Sequence, residues 1–464
     1  MVTIYFDKQV FSHLFKAKDE KYISLREKIL SHKKEFIFLY SNAHLMDLQN
    51  DTTDTKYAEM EFMQSIVDGN CLVYESPDIV VRKQTPREAF DTIHRIDDFS
   101  WIDDIDFSTI TDDQRNAINN IVDIAAKDLS GKLDYDWLNT RTPISSEKLY
   151  CDKAAFSAVM NFISRNFFEN KDSYKTIRDN TIARYNPALI IADSENIFNE
   201  QFASSPLGLS FIDTVKATLT QMGLPLSDSG TVYYTSYMLL DMVGINKEPR
   251  KKVRYRNVQT DCCHSFFGSY CDCIVSDDEG LIRKSKTLYK LCDFGTKVYS
   301  IDEFIEKFDE AINNNNKSAR EYFDEIYYDY ITRKTLRIET TPKHTITYLE
   351  SAHKYFGYFN CLAERKSEDE TIIILHKSND FNQPILVREI EIIVNRMVRA
   401  FNDMGTTFEV FNKEIELPQI KANNWERILV LDDAYMSLTI FKDTPMLCFW
   451  IKMEQPSSIA QNQD

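Results

Sequence analysis

The chain's 464 residues exceed a single ordinary core and predict two or three domains. With 43% hydrophobic residues, 11 Gly and 12 Pro, the composition excludes a largely disordered or fibrous chain, apart from a short polar tail after Gln455. A net charge of −17 excludes indiscriminate nucleic-acid binding, because phosphate contacts need Lys and Arg, so any such function requires a local basic surface.

The start MVTIYFDK carries no basic and apolar leader, and no apolar run reaches membrane-spanning length, so a soluble cytoplasmic protein with no membrane partner is expected. Nine irregularly spaced cysteines then predict reduced thiols. In chain order, Val2 to Phe6 is an apolar, β-branched and aromatic strand ending at Asp7. Helices near Val10 to Phe15 and around Ile23, Leu25, Ile29 and Leu30 lead to a second strand, Phe36 to Tyr40, ending at Ser41, with Asp47 in the helix after it. Thr55 to Val67 reads as a helix stopped by Gly69, and Cys71 to Tyr74 as a third strand. This alternation predicts right-handed crossovers and a parallel sheet.

From Ser76 to about Ser205 the rhythm breaks into an acidic, then mostly helical insertion whose one strand candidate is Ala188 to Ile191. Thr111 with Gln114, and Asp152, are its candidate helix caps. Helices from Ser210 to Met222 and Thr231 to Met242 resume the α/β pattern. A basic strip follows: Lys247, Arg250, Lys251, Lys252, Arg254 and Arg256, a candidate nucleic-acid surface or a solvated loop. Next comes a polar cap and a helix from Asp261 to Tyr270, a buried strand at Cys273 to Val275, then Ser276, Asp277 and Asp278 and a basic helix with Arg283 and Lys284. In an open α/β sheet the ligand crevice lies beyond the carboxyl ends of the strands, where Asp7, Ser41, Ser276, Asp277 and Asp278 fall.

In this order of residues the chain resembles the PIN-domain nuclease family: an Asp closing the first strand (Asp7), a Ser and then an acid (Ser41, Asp47), an Asp opening a late helix (Asp261), and Ser-x-Asp after the fourth strand (Ser276, Asp278). Phe294 to Ser300 and Ile301 to Phe304 are similar to that family's closing strand and last helix. The resemblance covers roughly residues 1–95 and 205–305. It implies a three-layer α/β domain with a parallel central sheet, built from residues 1–95 and 206–312, interrupted by a helical insertion at 96–205. It also implies a metal-dependent endonuclease, cleaving RNA in preference to DNA and leaving a 5′-phosphate and a 3′-hydroxyl.

Two-metal hydrolysis of a phosphodiester suits Mg²⁺ or Mn²⁺, hard ions that take carboxylate oxygen. By the resemblance Asp7 centres the metals, Asp47 and Asp261 orient metal-bound waters and Asp278 completes the second position, with Asp277 as the alternate ligand. Ser276 and His264 are candidates for phosphate contact, with a satisfied helix-face histidine the favoured reading of His264. Asp47 departs from the pattern, standing where Glu is commoner. The size and decoration of the chain suggest a bacterial toxin or phage-defence effector, with a structured RNA such as tRNA as substrate. The competing expectation is a catalytically inactive PIN-like scaffold that binds nucleic acid or a protein.

After a polar tetrad, Asn313 to Asn316, read as a linker, residues 318–455 predict a separate α+β domain. It carries an aromatic helix through Tyr322 to Tyr330, strands at Thr371 to Leu375, Phe408 to Phe411, Ile428 to Leu431, Met436 to Phe441 and Met446 to Ile451, and a helix at Leu386 to Phe401. No chemistry-bearing motif marks it, and substrate recognition or binding of a trigger protein is its expected role.

Overall fold

The computed structural model describes residues 2–76, 78–93, 174–175, 178–179, 182, 198–203, 208–221, 224–244, 255–332, 334–377, 385–402, 408–431, 434–441 and 446–453. The Ala188 to Ile191 strand candidate and the Thr111 and Asp152 caps lie outside them, as do Lys247, Arg250, Lys251, Lys252 and Arg254. By contacts the chain divides into two units, residues 5–18 with 39–300, and residues 1–4, 19–38 and 301–464. The protein is mixed α/β, with one six-stranded sheet that includes parallel pairs and a second, seven-stranded antiparallel sheet. No helix among the described residues is long and apolar enough to cross a membrane.

The first sheet is built from β1 (Thr3–Phe6), β2 (Ile37–Ser41), β3 (Asn70–Glu75), β4 (Asp78–Lys83), β5 (Cys273–Val275) and β6 (Lys297–Tyr299). Its order is β4-β3-β2-β1-β5-β6. β1 and β2 are buried along their whole length, which is why they read as continuous apolar runs. β2 pairs with β3, and β5 with β6, in parallel. Moving outward from β1, the chain builds one side through β2 and β3 and the other through β5 and β6, so the topological switch lies between β1 and β5.

The helices between these strands begin on the residues that end them. Asp7 caps α1 (Lys8–Lys16), its Oδ1 accepting the Val10 N–H at 3.1 Å. Ser41 caps α3 (Asn42–Gln49), in a capping box whose third position is His44 in place of Glu or Gln. α4 (Thr55–Val67) matches its expected bounds, and Gly69 reverses the chain with φ of 70°. β4 corrects the reading of the residues after Ser76, which placed no strand before Ala188: it pairs antiparallel with β3 from Asn70↔Lys83 to Glu75↔Asp78. As a half-exposed edge strand with charged ends, it lacks the apolar run that marks the central ones. After it come α5 (Pro86–Thr92), α6 (Phe198–Phe202), α7 (Phe211–Gln221) and α8 (Ser229–Met242).

α9 runs from Tyr255 to Gly268, so Asp261 stands in mid-helix and does not open it, as the sequence led us to expect. The pair Thr260-Asp261 has the composition of a cap, but the helix extends more than a turn before it. α10 (Glu279–Leu291) is capped by Asp278, whose Oδ1 accepts Gly280 N–H at 2.7 Å and Leu281 N–H at 2.9 Å.

In the second unit, α11 (Ile301–Asn315) carries three of the four tetrad asparagines, which makes that stretch the end of a helix and not a linker. Phe308 of α11 packs at 4.8 Å from Phe36, in the segment that holds α2 (Glu20–His32). α12 (Ala319–Thr332) buries Tyr322 and Ile326 and leaves Tyr327 and Tyr328 exposed. The second sheet has β7 (Thr335–Thr340), β8 (Thr345–Leu349), β9 (Cys361–Lys366), β10 (Thr371–His376), β11 (Glu426–Leu431), β12 (Ala434–Phe441) and β13 (Met446–Met453), in the order β11-β12-β13-β10-β9-β8-β7. Phe408 to Phe411, an expected strand, is irregular instead. α13 (Leu386–Asn402) backs one face, where Phe401 stacks on Phe356 at 6.1 Å and Phe356 meets Phe449 of β13 at 5.7 Å. α14 (Lys413–Lys421) precedes β11.

Candidate active site at the switch point of the sheet

β1 and β5 are neighbours in the sheet and bring Asp7 and Ser276 together at their ends. The Asp7 N–H donates to the Val275 carbonyl at 3.0 Å, and the Ser276 hydroxyl donates to Asp7 Oδ2. Ser276 Oγ in turn accepts the Asp278 N–H at 3.0 Å. Asp7, Ser276 and Asp278, distant in sequence, are thus one hydrogen-bonded group, with Ser276 fully buried, Asp278 half-buried and Asp277 exposed.

A second chain of contacts starts from Tyr5, which shares the face of β1 that ends at Asp7. Its hydroxyl lies 2.7 Å from Ser41 Oγ and 3.0 Å from His264 Nδ1. His264 Nε2 is 3.1 Å from Asp47 Oδ2. A carboxylate only accepts, so His264 Nε2 donates to Asp47, and the Tyr5 hydroxyl joins Ser41 to His264 in one chain, Ser41–Tyr5–His264–Asp47. His44 adds a neutral imidazole, its Nε2–H donating to the Phe6 carbonyl at 2.7 Å and its Nδ1 accepting the Ser41 N–H at 3.1 Å. Burial lowers the His44 pKa well below the ordinary 6.5, and burial raises that of Tyr5, so both stay uncharged.

The two groups meet electrostatically at Asp7. Burial raises its carboxyl above the ordinary 3.8, and Asp47 adds to the rise, while His264, the Ser276 hydroxyl and the Val10 amide oppose it. The folded protein therefore holds the Asp7 proton more tightly than the unfolded chain, and stability associated with that proton is lost as pH rises from 3.8 through the raised value. Asp7→Asn keeps a helix cap and removes the buried charge. It is expected to raise the melting temperature at pH 7, with the gain shrinking toward pH 4, as scanning calorimetry at several pH values would show.

Asp261 is half-buried and flanks Cys263 together with Asp47; burial, Asp47 and Asp261 push the Cys263 thiol up to about 12. Every cysteine among the described residues is a free thiol. The oxygen donors suit Mg²⁺ or Mn²⁺, but their spacing does not: among the described residues no three of His, Cys, Asp and Glu are grouped to hold a metal ion. Both Asp7 oxygens are bonded to Val10 and Ser276, and Asp47 Oδ2 is bonded to His264. In this arrangement the acids do not fit a resident ion.

Comparisons with protein-family models, with curated proteins and with solved structures gave no match.

The expected cations are placed differently from one another. Arg283 is exposed and 3.8 Å from Glu279. Lys284 is buried, its ammonium 2.9 Å from Asp241 and 4.9 Å from the centre of the Tyr237 ring, so it serves an internal ion pair and not a surface strip. Asp241 also accepts from the Tyr174 hydroxyl at 2.5 Å. Arg256, in the first turn of α9, is half-buried, and its Nε and Nη2 have no hydrogen-bond partner among the described residues. His264 is enclosed, 2% exposed, with both ring nitrogens engaged. Sequence reasoning missed Tyr5 and His44. The signals were Tyr5 two residues before Asp7 on one strand face, and the Ser41-x-x-His44 spacing of a capping box.

Proposed function

We propose that the unit containing residues 5–18 and 39–300 is a PIN-like endonuclease domain that cleaves phosphodiester bonds of RNA. The observation that carries the reading is the hydrogen-bonded group of Asp7, Ser276 and Asp278 at the switch point, where an open α/β sheet places its ligand crevice. Asp47 and Asp261 both act electrostatically on Cys263, which supports their belonging to one acidic neighbourhood. The strand order, with β1 between β2, β3 and β4 on one side and β5 and β6 on the other, is in keeping with the same fold. Mg²⁺ or Mn²⁺ belongs to this proposal through the resemblance alone. A toxin or defence role in the cytoplasm, tRNA or another structured RNA as substrate, and a trigger protein acting through residues 318–455 are parts of the same proposal.

The spacing of the acids favours one second reading, a catalytically inactive platform that binds nucleic acid or a partner protein. Incubating the full-length protein with total RNA and with single-stranded DNA, in Mg²⁺, Mn²⁺ or EDTA, separates the two. The nuclease gives discrete RNA fragments with 5′-phosphate ends that EDTA abolishes. The platform retains RNA in a filter-binding assay and cuts nothing in either metal.

A further inference from the structure

The face of the seven-stranded sheet turned away from α13 carries a cavity of about 350 Å³, lined by Glu370, Ile372, Tyr435, Ser437, Trp450 and Lys452. Strand alternation places these residues together. Phe449 points to the helix side, so Trp450 and Lys452 point away from it, and their neighbours across the ladder are Ser437 opposite Trp450 and Ile372 opposite Lys452. The volume lies within the range of small-molecule sites.

The lining has a specific chemistry. Trp450 and Tyr435 present two aromatic rings, Tyr435 being 43% exposed. The indole is fixed in orientation, its N–H donating to Thr439 Oγ1 at 3.2 Å while the Arg365 guanidinium lies 5.1 Å from its ring centre. Glu370 is shared by two cations, Arg365 at 2.8 Å and Lys452 at a looser 3.4 Å. Those two cations and one carboxylate leave a local positive excess in a chain of net charge −17. Flat rings select a flat ligand, the loosely held ammonium of Lys452 selects an anionic group, and the Glu370 carboxylate accepts from N–H donors.

We propose that this pocket binds a nucleotide, a heteroaromatic base carrying an amino group stacked against Trp450 and Tyr435, with its phosphate on Lys452. The shared chemistry has two sources, a free mononucleotide or one base of a single-stranded RNA.

Isothermal titration calorimetry on the full-length protein in EDTA, with AMP, adenosine, ribose 5-phosphate and an oligoadenylate decamer, tests it. AMP or the decamer is expected to bind, adenosine and ribose 5-phosphate more weakly than AMP. Trp450→Ala and Lys452→Glu should each weaken binding about tenfold or more, the scale of one lost base stack. Lys452 is an exposed side chain, so its variant carries the test even where Trp450→Ala perturbs the sheet. AMP binding as tightly as the decamer identifies a free nucleotide, and a tighter decamer identifies an RNA strand. No binding of either at millimolar concentration, or binding that both variants leave unchanged, overturns the proposal.

Discussion

Arg396→Ala is expected to destabilise the unit containing residues 301–464 by about 3–5 kcal/mol, from lost carbonyl partners and an unfilled buried volume. Among the described residues Arg396 is the largest fully buried side chain, 1% exposed. Its Nη1 donates to the Phe356 carbonyl at 2.6 Å and its Nη2 to the Glu35 carbonyl at 3.1 Å, tying the segment after α2 to α13. Gly357→Ala should act at the same place. Gly357 has φ of 63°, and an added Cβ would fall 2.6 Å from Arg396 Nη1 and collide with Asn315 Oδ1. Urea denaturation followed by circular dichroism would register both variants as lower midpoints. A loss under 1 kcal/mol for Arg396→Ala would show that this contact is peripheral to stability.

Tyr5→Phe should cost on the order of 2 kcal/mol, because the hydroxyl is the joint of the buried chain from Ser41 to Asp47. Without it the Ser41 hydroxyl and His264 Nδ1 each lose a hydrogen-bond partner, both out of reach of water. The ring itself stays packed, since Tyr5 meets His44 at 5.0 Å and His264 at 5.8 Å through its apolar body. Thermal unfolding measures the loss. His264→Gln, which keeps a donor for Asp47, should lose less cleavage activity than His264→Ala if the histidine acts by holding that carboxylate.

The strands that carry the acids were legible because central strands with two buried faces read as unbroken apolar runs, as Ile4-Tyr5-Phe6 and Cys273-Ile274-Val275 do. Their polar ends were legible for the same reason, standing out against those runs. The second sheet was half legible. β10, β12 and β13 are rich in Ile, Leu and Phe, whereas β7 exposes all six of its residues and β9 (Cys-Leu-Ala-Glu-Arg-Lys) is composed largely of helix formers. The partners of the acids were hidden by letters with two meanings. Lys284 in a basic helix reads as a surface cation until Asp241 is seen beside it, and His264, read as a satisfied helix-face histidine or a phosphate contact, has its partners Tyr5 and Asp47 far away in sequence.

The central claim, that the acids at the switch point perform phosphodiester cleavage, is tested most directly through Asp278→Asn. Asparagine caps a helix as well as aspartate does, so α10 and the melting temperature should be preserved while the charge is removed. The measurement is the rate at which wild type and variant cut total RNA in Mn²⁺. The account predicts a loss of at least about a hundredfold in the variant, the scale of removing one general acid or base. Cleavage by Asp278→Asn at the wild-type rate would contradict it.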